Sequence, residues 1–243
     1  MVLEITMTDE HNKQADPYEM AIEIARPLVR SGFETFAYIM QCVTECLEDE
    51  FDQIDNLNSI AQSVIETEIE KLQSEQQNWT HPTDCERFDK AFEELKSNGI
   101  LAQHHYSCCQ TCGISEIDLE LEYLKSIQKP YRGYAFYHVQ DTESAILGYN
   151  QCLSYGHTDD DPDDCVVIGH EICDTLNRHG LKTNWNGEFS NRIFVEMDWK
   201  RPWPPQTPDV VPQAALDIYQ QSTNKKTQAQ SNKFITRLKN FFR

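Results

Sequence analysis

The chain has 243 residues, of which 39% are hydrophobic and 10% aromatic, and its formal net charge is −19 at pH 7. This length and composition are typical of a globular protein with a sizeable core. Because phosphate binding needs a basic surface, the acidic excess argues against a nucleic-acid partner. No apolar run approaches the roughly 18 residues expected of a membrane-spanning helix.

The N-terminus and the cysteine count indicate a reducing compartment. The first ten residues contain neither a basic flank nor a long apolar run, so a secretory signal is not expected. Nine cysteines are an odd number, and disulfide frameworks belong mainly to smaller secreted chains. We therefore expect reduced thiols and a cytoplasmic location.

The charge is unevenly distributed along the chain. Residues 1–80 carry 17 acidic and 4 basic side chains, whereas residues 200–243 carry 2 acidic and 8 basic ones. A solvated acidic body with a basic tail explains this bias as a solubility feature. A second interpretation is that the tail contacts anionic lipid or the acidic N-terminal region.

The first part of the chain is predicted to be helical. Residues 1–16 are polar and lack periodicity, which indicates a flexible leader, and residues 17–79 follow as a helical region. Asp16 is expected to cap the first helix, which has Pro17 in its first turn and ends at Gly32.

Two further helices are predicted in this acidic region, near residues 33–47 and 57–72, because apolar residues recur there at steps of three and four. Cys42 and Cys46 lie one turn apart in the earlier of the two. Free cysteines behave as small hydrophobic side chains, so both are expected to be buried near the core stripe.

Residues 80–200 are predicted to form an α/β or α+β domain. A capping box at Thr83 and Glu86 starts a helix. Segments rich in β-branched and aromatic residues then alternate with helical ones, which predicts a mixed sheet with flanking helices. The five predicted strands cover residues 100–106, 132–139, 151–155, 181–185 and 192–197.

Residues 201–243 are predicted to be a proline-rich linker and a basic amphipathic tail. Five prolines between residues 202 and 212 favour an extended segment. Aromatic and basic residues are mixed at the end of the chain, over 234–243, which is typical of a segment that packs on a partner or lies on a membrane surface. Residues 200–243 are expected to be dispensable for folding of the preceding domain.

The segment 104–113, His-His-Tyr-Ser-Cys-Cys-Gln-Thr-Cys-Gly, concentrates three cysteines and two histidines. Thiolates and imidazoles are the ligands that zinc selects, and a Cys-x-x-Cys pair is also the unit of dithiol redox chemistry. Cys109 and Cys112 fall where a strand ends and a helix begins, and the helix dipole stabilises thiolates at that place. A metal site, a redox dithiol and structural burial all remain open for this turn.

The predicted metal ligands come from this turn and from the next strand. Cys109 and Cys112 are the primary ligands, and Cys108, His105 and His138 are the candidates for the other positions, because a tetrahedral zinc site needs four donors. No general base is evident beside the turn. Zinc is therefore the predicted cofactor, in a structural or regulatory role.

His138 lies at the end of the strongest predicted strand. Asp141 is expected to be the N-cap of the short helix that follows, which leaves His138 without a structural explanation. Motifs typical of HExxH metalloproteases, P-loop proteins and GxSxG serine hydrolases are absent, so no catalytic residue is predicted and enzyme activity stays open.

Three blocks of the sequence carry a resemblance to a known family. They are Thr83-Asp-Cys-Glu-Arg-Phe-Asp-Lys-Ala-Phe92, Ser107-Cys-Cys-Gln-Thr-Cys-Gly113 and Arg132-Gly-Tyr-Ala-Phe-Tyr-His-Val-Gln-Asp-Thr-Glu143, together with the shorter ending Met197-Asp-Trp-Lys-Arg201. Over roughly residues 20–200 the chain resembles a bacterial family classed only as a domain of unknown function. The resemblance implies a recurrent domain with the cysteine turn as its hallmark, and it implies no activity, substrate or ligand set.

Three hypotheses about function follow from the sequence. The leading one is a protein that binds zinc through the cysteine turn. The second is a non-catalytic interaction module whose acidic face binds a basic protein partner, since opposite fields steer association. The third is a redox protein in which Cys109 and Cys112 form a reversible dithiol.

Overall fold

The structure is a computed structural model of the chain. It divides the chain into two compact units. The helical unit comprises the described residues up to 77 together with 202–205, and the α+β unit comprises 78–201 together with the described residues 220 and 221. The described residues are 16–51, 53–159, 161–205, 220 and 221.

The predicted leader up to residue 15 and the predicted amphipathic end at 234–243 lie outside the described residues. Within the described part of the chain, each helix is too short or too polar to cross a membrane.

The helical unit is built from α1 (Pro17–Ser31), α2 (Phe36–Glu50) and α3 (Leu57–Gln76). Asp16 caps α1 by accepting a hydrogen bond from the amide of Tyr18. The helix ends at Gly32, whose φ of 72° is a left-handed conformation that glycine adopts without steric cost. Both ends of the first helix are thus confirmed.

Aliphatic stripes form the core of the helical unit. Ala21, Ala25 and Val29 of α1 are fully buried, as is Ile65 of α3. Glu68 of α3 is buried beside them, and its two carboxylate oxygens accept hydrogen bonds from Arg26 Nε at 2.9 Å and from Lys71 Nζ at 2.7 Å. The buried carboxylate is therefore paired from two sides.

The expected burial of both cysteines in α2 is wrong for Cys46, which is exposed, while Cys42 is half-buried. The buried stripe of α2 is made by Ile39, Val43 and Leu47. Each cysteine precedes a stripe residue by one position, and a step of one residue turns a helical side chain by about 100°.

The α+β unit contains a five-stranded sheet with the strand order β1-β2-β3-β5-β4. β1 and β2 are parallel, and the other neighbours are antiparallel. The predicted mixed sheet with flanking helices is thus confirmed. The elements are α4 (Asp84–Ser97), β1 (Ile100–Gln103), α5 (Gln110–Ser126), β2 (Gly133–Phe136), α6 (Val139–Ile146), β3 (Gln151–His157), α7 (Pro162–Arg178), β4 (Lys182–Asn184) and β5 (Ile193–Glu196).

Helices cover the two faces of the sheet. On one face, α5 packs on β1 and β2 through a cluster that includes Leu101, Ile117 and Phe136. On the other face, α7 lies so close to β2 that a Cβ atom at Gly133 would be 2.7 Å from Ile168. This opposite placement follows from the alternation of side chains along a strand.

Lys200 and Arg201 form hydrogen bonds with side chains of α4. The amide of Lys200 donates to Cys85 Sγ at 3.3 Å. Arg201 is 4% exposed, and its guanidinium donates two hydrogen bonds to Asp89 at 2.6 and 3.0 Å. The segment predicted to be dispensable from residue 200 onward therefore begins with two residues that are tied to this helix.

Candidate metal centre

The cysteine turn, residues 104–113, connects the end of β1 to the start of α5. Because β1 and β2 are parallel, their C-terminal ends lie at the same end of the sheet, and the turn lies there. The amide of Tyr106 donates to the carbonyl of Tyr137 at 2.8 Å, and the amide of Val139 donates to the carbonyl of Ser107 at 3.1 Å. The turn is thereby fixed beside the N-terminus of α6.

Two residues of the turn have left-handed backbone conformations, His105 with a φ of 49° and Ser107 with a φ of 63°. Such values are uncommon for residues with a side chain and persist where surrounding contacts hold them. Nδ1 of His105 lies 2.9 Å from Thr142 Oγ1, and Ser107 Oγ donates to Glu116 at 3.1 Å. Side-chain contacts to α6 and α5 thus support the backbone of the turn.

The helix after the turn begins earlier than predicted. α5 starts at Gln110 rather than at Ile114, so Cys109 is its N-cap and Cys112 lies in its first turn. Gly113 allows this start, because a Cβ atom there would lie 2.5 Å from the ring of Phe136 in β2. The glycine of the Cys-Cys-Gln-Thr-Cys-Gly block therefore brings the first turn of α5 against the sheet.

The three sulfur atoms of Cys108, Cys109 and Cys112 all lie within 4.8 Å of one another. Cys108 and Cys112 are exposed, and Cys109 is half-buried. Among the described residues, this is the one group of three or more cysteine, histidine or acidic side chains that could hold a metal ion. The structure thus brings together the three cysteines that the sequence singled out.

The pKa values of Cys109 and Cys112 are shifted in opposite directions. The amide of Cys112 donates a hydrogen bond toward Cys109 and lowers the pKa of that thiol, and the thiols of Cys112 and Cys108 act in the same direction. The same sulfur contacts, with Cys108 first, raise the pKa of Cys112 to about 11. Of these two residues, Cys109 is the one that more readily becomes a thiolate, the form that binds metals and attacks disulfides.

His138 is the N-cap of α6, which starts at Val139. Its Nδ1 accepts a hydrogen bond from the amide of Asp141 at 3.3 Å, and the Asp141 carboxylate accepts one from the amide of His138 at 3.1 Å. The prediction that Asp141 is the N-cap is therefore wrong. An imidazole nitrogen here accepts the bond that usually goes to a serine, threonine, asparagine or aspartate oxygen.

The imidazole of His138 is buried against an ion pair. His138 is 5% exposed, and its Nε2 lies 3.1 Å from Asp141 Oδ2. Arg192 binds the same carboxylate with two hydrogen bonds, of 3.0 and 2.5 Å. Burial lowers the pKa of His138, since the opposing effect of Asp141 is smaller and Arg192 adds to the lowering. The neutral ring therefore has both nitrogens engaged with Asp141.

The two predicted histidine ligands are thus engaged elsewhere in this structure. Neither His105 nor His138 belongs to the group of ligand atoms within 4.8 Å of one another. Sequence reasoning also missed Thr142, which contacts the imidazole of His105, and Arg192, which binds the carboxylate of Asp141. No motif marks these partners, because Thr142 is 37 residues from His105 and Arg192 is 51 residues from Asp141.

A family model described as "Domain of unknown function (DUF6891)" matches residues 14–202. The match spans every helix from α1 to α7, all five strands and the cysteine turn. No curated protein and no solved structure matches the chain. Since the matched residues make up most of its length, the chain belongs to this family of unknown function.

Proposed function

We propose that Cys108, Cys109 and Cys112 bind a zinc ion and that the bound metal has a regulatory role. The observation that carries this proposal is the distance between the three sulfurs, each within 4.8 Å of the other two. Three thiolates make a soft ligand set, which suits zinc and other thiophilic metals and is poorly suited to magnesium or calcium.

Zinc fits this group after small movements of the side chains. Zn–S bonds are about 2.3 Å long, so two sulfurs on a tetrahedral zinc lie about 3.8 Å apart. The sulfurs must therefore approach one another by about 1 Å at most, from the limit of 4.8 Å. None of the three cysteines belongs to the buried core, so side-chain rotations of this size do not disturb it.

We assign the fourth position of the metal to water or to a small ligand from solution. The ring of His138 is buried and both of its nitrogens contact Asp141. The ring of His105 is held by Thr142. A histidine ligand would require one of these contacts to break, whereas exposed sulfurs leave the metal accessible to solvent.

A regulatory role is favoured because all three ligands lie within five residues of the chain. A metal that closes such a short loop removes little entropy from the unfolded state. The unfolded chain also retains the same closely spaced cysteines, and metal binding to the unfolded state reduces the stabilisation of the folded one. We therefore expect zinc binding to respond to ligand exchange or to the redox state of the turn, and to contribute little to the stability of the fold.

The test is a zinc titration of metal-free protein against a chromophoric chelator. We expect one zinc per chain, and Cys109→Ser and Cys112→Ser should each weaken zinc binding by more than about 100-fold, since even the partners of metal ligands are worth about 10–100-fold. His105→Ala should leave the affinity within about threefold, which corresponds to less than 1 kcal/mol.

Cys46→Ser is the matched control, because Cys46 is also an exposed cysteine and lies in α2. Its zinc affinity should equal that of the unmodified protein. The proposal fails if the protein takes up less than about 0.2 zinc per chain under conditions that load ordinary thiolate sites. Equal affinity in the Cys46→Ser and Cys109→Ser proteins would also contradict it.

A further inference from the structure

The three sulfurs also lie close enough together for two of them to form a disulfide after small side-chain movements. We propose that Cys109 and Cys112 form a reversible disulfide when the protein meets an oxidised low-molecular-weight thiol, and that formation of this bond expels the metal. The release step rests on the proposed zinc site, whereas the disulfide can be tested in the metal-free protein.

Backbone geometry narrows the choice of cysteine pair. Disulfides join residues whose Cα atoms are usually about 4.4–6.8 Å apart. Cys108 and Cys109 are adjacent, and consecutive Cα atoms lie about 3.8 Å apart across a trans peptide, which disfavours a bond between them. Both remaining pairs include Cys112, so Cys112 is the common partner.

Cys109 is the better placed of the two partners for Cys112. It is the N-cap of α5, with an extended φ of −154°, and Cys112 follows in the first helical turn. The thiol of Cys112 contacts the thiols of both Cys108 and Cys109, and its amide also donates a hydrogen bond to Cys109. This additional contact with the N-cap residue favours Cys109, whereas Cys108 lies outside the helix.

Four of the other cysteines lack this combination of access and partner. Cys85 and Cys165 are buried, at 1% and 0% exposure, which shields them from an oxidant. Cys42 and Cys46 are one turn apart inside α2, where Cβ atoms lie about 5–6 Å apart. A disulfide needs a separation of about 3.5–4.5 Å, so a bond between those two would distort the helix.

The proposed reaction is a pair of thiol–disulfide exchanges. The Cys109 thiolate attacks one sulfur of the oxidised thiol, forms a mixed disulfide and releases one thiolate. Cys112 then loses its proton to solvent and attacks the Cys109 sulfur, which releases the second thiolate. The protein gives up two electrons, and the oxidant becomes two thiols.

Metal release follows from the loss of ligands. Before oxidation the zinc has three sulfur ligands, and the disulfide removes two of them. Disulfide sulfur carries no negative charge, so only the Cys108 thiolate and water would remain. Because structural and catalytic zinc sites keep at least three protein ligands, the metal should leave.

The first arm of the test uses metal-free protein and oxidised glutathione as the probe. Peptide mapping without reduction should find Cys109 linked to Cys112 as the main intramolecular disulfide, and Cys108→Ser should retain it. Cys112→Ser should instead stop at the mixed disulfide on Cys109. The inference is overturned if no intramolecular disulfide forms or if Cys108 is the main partner.

The second arm uses zinc-loaded protein. Oxidation should release one zinc for each disulfide formed, and addition of dithiothreitol should restore binding. Cys46→Ser should behave like the unmodified protein. Zinc that stays bound after the disulfide forms overturns the release step. Protein that forms the disulfide but never binds zinc overturns the proposed function and leaves the dithiol switch in place.

Discussion

The two units of the molecule differ in how many polar side chains they bury. Among the described residues of the helical unit, the buried polar side chains are Ser31 and Glu68, and the rest of its core is apolar. The α+β unit buries many more, several of which lie beside the cysteine turn. They are Thr83, Gln103, Glu120, His138, Asp141, Thr142, Gln151, Ser154, Thr175 and Arg201.

The two units are therefore stabilised by different kinds of interaction. Apolar stripes are non-directional, so the helical unit depends mainly on how much apolar surface its helices bury. Buried hydrogen bonds and ion pairs are directional and costly to leave unpaired. They fix loops and helix ends at defined places, which is what a site built from a short turn requires. The candidate metal centre accordingly lies in the α+β unit.

Removing one arginine from each unit tests this difference in stabilisation, and it should give the largest effect on stability. Arg201→Ala leaves Asp89 without its two guanidinium bonds, and we expect a loss of about 3 kcal/mol in the free energy of unfolding. Arg26→Ala removes an arginine that is 51% exposed. Lys71 still pairs with Glu68 in that variant, so the expected loss is about 1 kcal/mol or less.

Urea unfolding at neutral pH measures both losses. Equal losses for Arg201→Ala and Arg26→Ala would show that the guanidinium of Arg201 is no more important than an exposed one. The proposed contrast between the units would then be wrong.

The paired carboxylate of the helical unit predicts a smaller, pH-dependent effect. Burial tends to raise the pKa of Glu68, but hydrogen bonds from Arg26 and Lys71 outweigh it and hold the pKa below its usual value. The carboxylate therefore contributes stability above the pKa of the unfolded chain, about 4.3 for glutamate, and loses it as the pH falls through the folded value.

The measurement is the free energy of unfolding of the unmodified protein and of Glu68→Gln between neutral and acidic pH. The difference between the two should be largest at neutral pH and should shrink in acid. Glu70→Gln, which changes an exposed residue of the same helix, is the control. A constant difference between the unmodified protein and Glu68→Gln across the pH range would show that ionised Glu68 does not stabilise the fold.

Two substitutions of His138 separate helix capping from metal binding. His138→Ala removes the N-cap of α6 and should cost about 1 kcal/mol of stability. His138→Asn should restore most of this loss, because asparagine is a favourable N-cap. Neither variant should change zinc affinity. A loss of zinc binding in both variants, with stability intact in His138→Asn, would instead make His138 a metal ligand.

Much of the fold could be predicted because its signals are local. The cap at Asp16, the helix end at Gly32 and the capping box at Thr83 and Glu86 all appear in the structure. All five strands were predicted within a few residues of their ends. The strand order was not, because it depends on pairings between distant segments that no local pattern records.

In the candidate site, too, the local features were predicted and the long-range contacts were not. Cys108, Cys109 and Cys112 come together because their spacing and the start of α5 are local properties. The position of His138 was predicted, but its role as a cap was missed because histidine is not a preferred N-cap residue. Arg192 was missed because it is 51 residues from Asp141, and no local pattern records such a contact.

X-ray absorption at the zinc edge of the zinc-loaded protein is the most direct test of the proposed centre, because it counts the ligands by element and distance. We expect three sulfur ligands at about 2.3 Å and one oxygen or nitrogen ligand at about 2.0–2.2 Å. Cys109→Ser should lose one sulfur or fail to retain zinc. A spectrum with nitrogen and oxygen ligands only would contradict the proposal that the cysteine turn is the metal site.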